Sequence, residues 1–198
     1  MRLPVRKRKS MSTEAMAPHG QPRVEDATRH DTFLRLIGQY EAALRRLAAG
    51  YVVHAADRED LFQEIAVGLW RAIPGYRGEA SERTWLYRIA HNIAISSSAR
   101  LHRRERSEGP IAETVDQVPA NADAEQEAVR NEQRRRLAEV IRTLPAVDRQ
   151  MILLHLEGLS YAEIEQISGL SQSAVATRLS RVRERLKEKV QARGMEQR

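Results

Sequence analysis

The stretch LPAVDRQMILLHLEGLSYAEIEQISGLSQSAVATRLSRVRERLKEKV, residues 144–190, decides the fold. Within it two short apolar-periodic segments meet at Gly169. Ser160 followed by Glu163 has the form of a capping box, in which serine oxygen and glutamate carboxylate each take a backbone N–H that a helix start leaves unpaired. A helix is therefore predicted from about Tyr161, with Ile164 and Ile167 on its inward edge. Gly169 tolerates the positive φ of a helix C-cap, so the chain can turn at once, and Ser171 caps a second helix. In that helix Val175, Leu179, Val182 and Leu186 recur at intervals of four, three and four, a narrow stripe facing the first helix and the core. At ~100° per residue the opposite face presents Ser173, Ala176, Thr177, Ser180 and Arg181, flanked by Arg178, Arg183, Arg185 and Lys187. The pattern is a helix-turn-helix. Small polar groups near the second helix's start suit base edges in a major groove, and the longer cations suit phosphates.

The competing reading is an ordinary helical hairpin with a solvated charged face. Composition weighs against it: 33 Lys+Arg oppose 27 Asp+Glu, a net charge of +6, and the sequence pI is near 10.0. That balance favours a polyanionic partner. No apolar run approaches the roughly 20 residues that span a bilayer, so membrane insertion is not expected. Arg2, Arg6, Lys7, Arg8 and Lys9 look like the start of a signal peptide, but no hydrophobic segment follows, and a cytoplasmic protein is expected. Zero cysteines exclude disulfides, thiol chemistry and cysteine–zinc sites. None of the six histidines stands at a persuasive ligand spacing, so no metal and no cofactor are expected.

Outward from the hairpin, the chain reads as all-α: two small helical domains joined by a flexible linker. Residues 1–29 mix basic residues, prolines and small polar groups without periodicity and read as a disordered basic tail. The first domain, 30–106, opens with a helix carrying Phe33, Leu34, Ile37, Ala43, Leu44 and Leu47 inward and Gly50 near its end. Leu61, Ile65, Leu69 and Ile73 stripe a second helix, stopped by Pro74-Gly75. A third, capped by Ser81, runs through Trp85, Leu86, Ile89, Ala90 and Ile93 into a basic end. Residues 107–123, with Pro110, Pro119 and acidic groups, read as the linker. Helical periodicity returns over 124–193, pausing at Pro145.

Asp60-Leu61-Phe62-Gln63-Glu64 followed by Trp70, then Tyr76-Arg77-Gly78-Glu79-Ala80-Ser81, then Thr84-Trp85-Leu86-Tyr87-Arg88-Ile89-Ala90-His91-Asn92, form three blocks. With Leu144-Pro145, Glu157-Gly158-Leu159-Ser160-Tyr161-Ala162-Glu163-Ile164 and Val175-Ala176-Thr177-Arg178-Leu179 they stand in one order and separation. Together they resemble the extracytoplasmic-function group of bacterial sigma factors, within the sigma-70 family. These are dissociable subunits that give RNA polymerase its promoter specificity.

The resemblance implies roles. Residues 30–106 would be the region-2 domain and 124–193 the region-4 domain. Asp60, Gln63 and Glu64 would bind core polymerase, whose largest and second-largest subunits are the implied partners. Their spacing of three and four places them on one helix face, as an anchor requires. Tyr76 would stack on a base extruded from the minus-10 element, an interaction worth about 1–3 kcal/mol. Arg77 and Gly78 would shape that loop, Asn92 would read a neighbouring base, and Arg88, Arg100, Arg103 and Arg104 would meet phosphates. Trp85, in the apolar stripe, reads as core. For the minus-35 element the implied positions are Ala176, Thr177, Ser180 and Arg181, with Ser173, Arg178 and Arg183 beside them. Ala176 replaces a commoner basic residue and would offer its methyl to a thymine. Ile95-Ser96-Ser97-Ser98 likewise departs from the frequent isoleucine-aspartate-x-leucine run. An acidic linker passing through the polymerase channels and an anti-sigma factor are further implications.

The reading is a sigma factor that binds core polymerase, recognises a two-part promoter, helps melt it and carries no catalytic residues. A helix-turn-helix regulator acting without polymerase is the alternative, and the Asp60–Asn92 block argues against it. A nuclease is disfavoured by the lack of any carboxylate–histidine or metal-spaced cluster.

Overall fold

The apolar stripes close against one another, and the described residues form helices joined by short turns. The structure is a computed structural model; it describes residues 24–108 and 124–196, with side chains over 27–104, at 130 and over 132–189. Among the described residues seven α-helices follow in order: α1 (Val24–Tyr51), α2 (Ala55–Ala72), α3 (Glu82–Glu108), α4 (Ala124–Arg142), α5 (Ala146–Leu156), α6 (Tyr161–Ser168) and α7 (Gln172–Glu196). A 3-10 turn at Ile73–Gly75 ends α2 where Pro74 removes a backbone donor. No strand occurs among the described residues.

In the first module α1, α2 and α3 pack on one another. Leu44, Leu61, Ile65, Leu69, Leu86 and Ala90 meet there with essentially no exposure. Gly68 is what lets α2 approach α3: a Cβ built on it would lie 2.2 Å from Ile93 Cδ1. Ser81 caps α3 as its sequence promised, its Oγ accepting from Thr84 N at 3.1 Å. In the second module Ser160 and Glu163 form both halves of the capping box, and Gly169 ends α6 at φ 74°. Ser171 Oγ accepts from Ala174 N at 3.3 Å at the start of α7. Val175, Leu179 and Val182 are fully buried against Ile164, Met151 and Leu154, so the four-three-four stripe closes the hairpin.

The structure departs from the sequence reading at several points. The first helix begins at Val24, inside the segment read as tail, because Arg29 ties its start to the end of α2. The Arg29 guanidinium lies 4.1 Å from the Trp70 ring centre and donates to the Trp70 carbonyl at 2.7 Å. Leu34 is 54% exposed rather than inward, and Leu36, one position off the assumed stripe, is buried instead. The basic third helix runs on to Glu108, past the expected boundary at 106, and α7 extends past 193 to Glu196. Residues 1–23 and most of the linker reading, 109–123, lie outside the described residues.

The two helical domains are as expected; what the sequence did not show is how they relate. They pack on each other: α6 lies on α3, while α4 and α5 lie on α1. Gly50, near the end of α1 as expected, makes this approach possible, since a Cβ there would be 2.7 Å from Leu153 Cδ2 of α5. Arg142 donates to the Ala49 carbonyl at 2.7 Å, using an acceptor that the end of α1 leaves open.

Candidate nucleic-acid interface

The hairpin seats α7 with its apolar edge inward, so the residues left outside are those the spacing named. Ser173, Thr177, Ser180 and Arg181 are exposed, and Ala176 is half-buried beside them. Thr177 Oγ1 donates to the Ser173 carbonyl at 2.9 Å, which leaves its lone pairs outward as acceptors. The three flanking arginines divide into two sets. Arg178 and Arg185 both reach back to Asp148 of α5, at 2.8 and 3.2 Å. Asp148 is 5% exposed, so this carboxylate is a buried anchor between α5 and α7. Arg183 turns to His155 Nε2 at 2.5 Å. Burial first, and then the Arg183 charge, hold the His155 imidazole below its usual range. The helical period had set these cations together around the outer face; α5 divides them.

Around the 3-10 turn, Gly78 takes φ 74°, a conformation that admits it and few other residues. Tyr76 is folded inward: its ring centre is 4.8 Å from that of Trp85, and its hydroxyl donates to the Ala80 carbonyl at 2.9 Å. Trp85 is half-buried against the core, in keeping with its place in the stripe. Arg77 and Asn92 are exposed. Arg88 donates across the module boundary to the Gln166 carbonyl at 2.9 Å. Arg103 and Arg104 are exposed on the last turns of α3.

Asp60, Gln63 and Glu64 share an exposed face of α2, which forms one wall of an open groove whose other wall carries Asn92, Ser96 and Arg100 of α3. Arg100, expected at a phosphate, closes on Glu64 at 2.7 Å to both carboxylate oxygens. Ser97 donates to the same carboxylate and receives Arg100 at 2.8 Å. The serine run is thus accounted for: Ser97 serves Glu64, while Ser96 and Ser98 bond back to the carbonyls of Asn92 and Ile95.

Sequence reasoning missed Glu157. Its carboxylate takes both Arg46 Nε and Arg46 Nη2, at 2.8 and 2.7 Å, and the Tyr87 hydroxyl at 3.2 Å. Its carbonyl accepts from Arg83. These partners are 70 to 111 residues away in the chain, and no local period reveals them. Among the described residues no cluster of His, Asp or Glu forms a metal site, and no helix is long and apolar enough to cross a membrane.

Comparison with known proteins gives the site its context. Residues 36–106 match Sigma-70 region 2, and residues 134–186 match Sigma-70 region 4. The ECF RNA polymerase sigma-E factor of Haemophilus influenzae is 32% identical over 166 residues, covering 80% of this chain and 87% of the relative. That of Escherichia coli K12 is 32% identical over 171 residues, 80% of this chain and 86% of its own. Two solved structures share the fold at 23% identity and a TM-score of 0.62. CnrH in complex with the cytosolic domain of CnrY covers 84% of this chain and 94% of its own. The sigma factor RpoE in complex with the anti-sigma factor NepR from Bartonella quintana covers 81% and 98%. With both regions present in order and the relatives matched over most of their length, the chain belongs to the ECF RNA polymerase sigma factors.

Proposed function

We propose that this sigma factor binds core RNA polymerase through Asp60, Gln63 and Glu64, and reads a two-element promoter with its two modules. Residues 30–106 act as the region-2 domain and 124–193 as the region-4 domain. The observation that carries this reading is the α7 surface: its apolar stripe is spent on the hairpin, and Ser173, Thr177, Ser180 and Arg181 are presented outward. Those residues and Ala176 meet base edges of the minus-35 element, with Arg178 and Arg183 alongside the phosphates.

In the first module Tyr76 swings from Trp85 to stack on an extruded minus-10 base, Gly78 allows that loop its backbone path, and Arg77 lies beside it. Asn92 reads an adjacent base, while Arg88, Arg100, Arg103 and Arg104 track the opened strand. The chain supplies no catalytic group; nucleotide addition belongs to the polymerase. It works in the cytoplasm, where the template is. An anti-sigma factor is a further partner, in line with the RpoE relative, which was solved with one.

Run-off transcription with purified core polymerase on a genomic library tests the reading and returns the promoter motif. Specific transcripts that disappear when the chain is omitted support it. Binding of promoter duplex by the chain alone, with no initiation by core, would overturn it in favour of a helix-turn-helix regulator.

A further inference from the structure

A cleft of about 260 Å³ opens between α1, α3, α4 and α5. Its walls are largely apolar: Leu47 and Gly50 come from α1, Leu137 and Ile141 from α4, and Leu153 and the exposed Leu156 from α5. Arg46 and Glu157 also line it, and they satisfy each other through the paired bonds already described. Apolar walls with a few fixed polar groups are the usual make-up of a small-molecule site.

The polar group that α3 adds to this lining is His91, a side chain with no exposure whose Nε2 has no partner among the described residues. Its state follows from its other nitrogen. Nδ1 lies 3.0 Å from the hydroxyl of Tyr51, which is itself buried and bonds to nothing else among the described residues. The hydroxyl proton therefore goes to Nδ1, and a neutral imidazole that accepts at Nδ1 carries its own proton on Nε2. Burial keeps the ring neutral at pH 7. Nε2–H is thus an uncharged donor in want of an acceptor, and a buried group in that condition calls for an explanation. Two backbone carbonyls of the adjoining helices are already taken, that of Ala49 by Arg142 and that of Leu153 by the Glu157 N–H. A water molecule needs two to four polar partners, and leucine and isoleucine walls do not supply them.

We infer that this cleft is a binding site for a neutral, mostly apolar molecule bearing one carbonyl oxygen, of the class of aromatic ketones and quinones. The carbonyl oxygen accepts from His91 Nε2, and the ring lies among Leu47, Leu137, Ile141 and Leu153. An apolar cavity of ~150 Å³ holds benzene, so this cleft suits a molecule of roughly ten non-hydrogen atoms. An ionised ligand gains nothing at a neutral imidazole, and the Arg46 guanidinium is already spent on Glu157. The site is separate from the polymerase-binding and DNA-binding residues of the proposed function, and it stands or falls without them.

Indanone and indane share a bicyclic skeleton and differ in the carbonyl, so the pair isolates the bond to His91. Calorimetric titration of the full-length chain, without polymerase or DNA, should give saturable binding of indanone with a Kd on the order of 100 µM. Indane should bind roughly 3–10-fold more weakly, the worth of one neutral hydrogen bond. With histidine labelled by nitrogen-15, indanone should shift the imidazole signals of His91 and leave the other five of the six histidines in place. Ala138, half-buried in the α4 wall, allows the cleft to be filled away from His91: Ala138→Phe should weaken indanone at least ~10-fold while the urea midpoint shows the chain still folded. Absence of saturable binding, equal affinity for indane, or unmoved His91 signals would each overturn the site. The His91 shift is read on the native chain, so the location is tested even where Ala138→Phe does not fold.

Discussion

Lowering the pH from 7.5 to 5 should destabilise this protein chiefly through one side chain. His91 is fully buried, with Nδ1 3.0 Å from the Tyr51 hydroxyl and no partner for Nε2. The rings of Tyr51 and Tyr87 lie against it, and it lines the apolar cleft between the modules near Arg46 and Glu157. Burial pushes its pKa down from 6.5 to about 3. A histidine of depressed pKa binds its proton first in the unfolded chain, so stability falls as the pH drops below 6.5 and keeps falling to the folded value. At pH 5 the unfolded histidine lies 1.5 units above the solution pH. At ~1.36 kcal/mol per unit, His91 then costs about 2 kcal/mol relative to pH 7.5. For a chain of this size that is a fall in Tm of about 4–8 °C. The carboxylates held low by their partners, among them Glu82 beside Arg35 and Glu163 on the Ser160 N–H, lose their contribution only below their ordinary value of 4.5. The window from 7.5 to 5 therefore belongs to histidine. Urea denaturation at both pH values, on the native chain and on His91→Gln, isolates the effect: the variant has lower stability at pH 7.5 but loses most of the pH-dependent drop. His155, also depressed, contributes in the same direction, so His155→Gln is the companion. A full drop of about 2 kcal/mol surviving in His91→Gln would refute the reasoning.

Three further outcomes follow from the packing. Removing Arg178 and Arg185 together strands the buried Asp148 carboxylate and should cost about 3 kcal/mol in urea denaturation. Asp148→Ala frees two half-exposed guanidinium groups to water and should cost only about 1–2 kcal/mol, so equal losses would contradict the anchor assignment. Gly68→Val drives a branched side chain into Ile93 and should lower stability by about 1–3 kcal/mol, with partial recovery on adding Ile93→Ala, because the clash involves the far end of that side chain. Ser160→Ala removes one half of the capping box and should cost about 0.5–2 kcal/mol, read as a lower thermal midpoint with α7 still folded by circular dichroism.

What was legible in the chain is what depends on neighbours within one or two turns. Ser160 with Glu163, Gly169, Ser171 and the Val175 stripe act through the backbone a few residues away, and the structure has each as its spacing implied. Leu34 failed because burial at the start of α1 depends on where α2 and α3 pack, which the local period does not contain; Leu36 is buried there instead. Gly50 was placed near the end of its helix, where it stands, but its packing reason is a leucine 103 residues later. Glu157 carried a family motif but no visible partner, since its arginine and tyrosine come from helices whose juxtaposition follows from docking. Ser97 was visible only as a departure from the usual run, and Glu64, on another helix, explains it.

The same distinction sorts the basic residues that composition could only count. A cation bound to a neutral acceptor gives it up readily to a phosphate, whereas one paired with a buried carboxylate leaves an uncompensated charge behind. Arg88 on the Gln166 carbonyl and Arg183 on the His155 imidazole are of the first kind, and each is exposed. Arg178 and Arg185 on Asp148 are of the second and keep that carboxylate while they line α7, so on the proposed reading Arg178 meets a phosphate without leaving Asp148. Arg100 lies between, since Glu64 is itself exposed and, on the proposed reading, faces polymerase. A polymerase cation arriving at Glu64 would compete with Arg100 and release it toward the opened strand, so that docking of the enzyme and grip on DNA are coupled through one carboxylate. Net charge supplies the attraction to DNA; the acceptor beneath each arginine decides which of them can answer it.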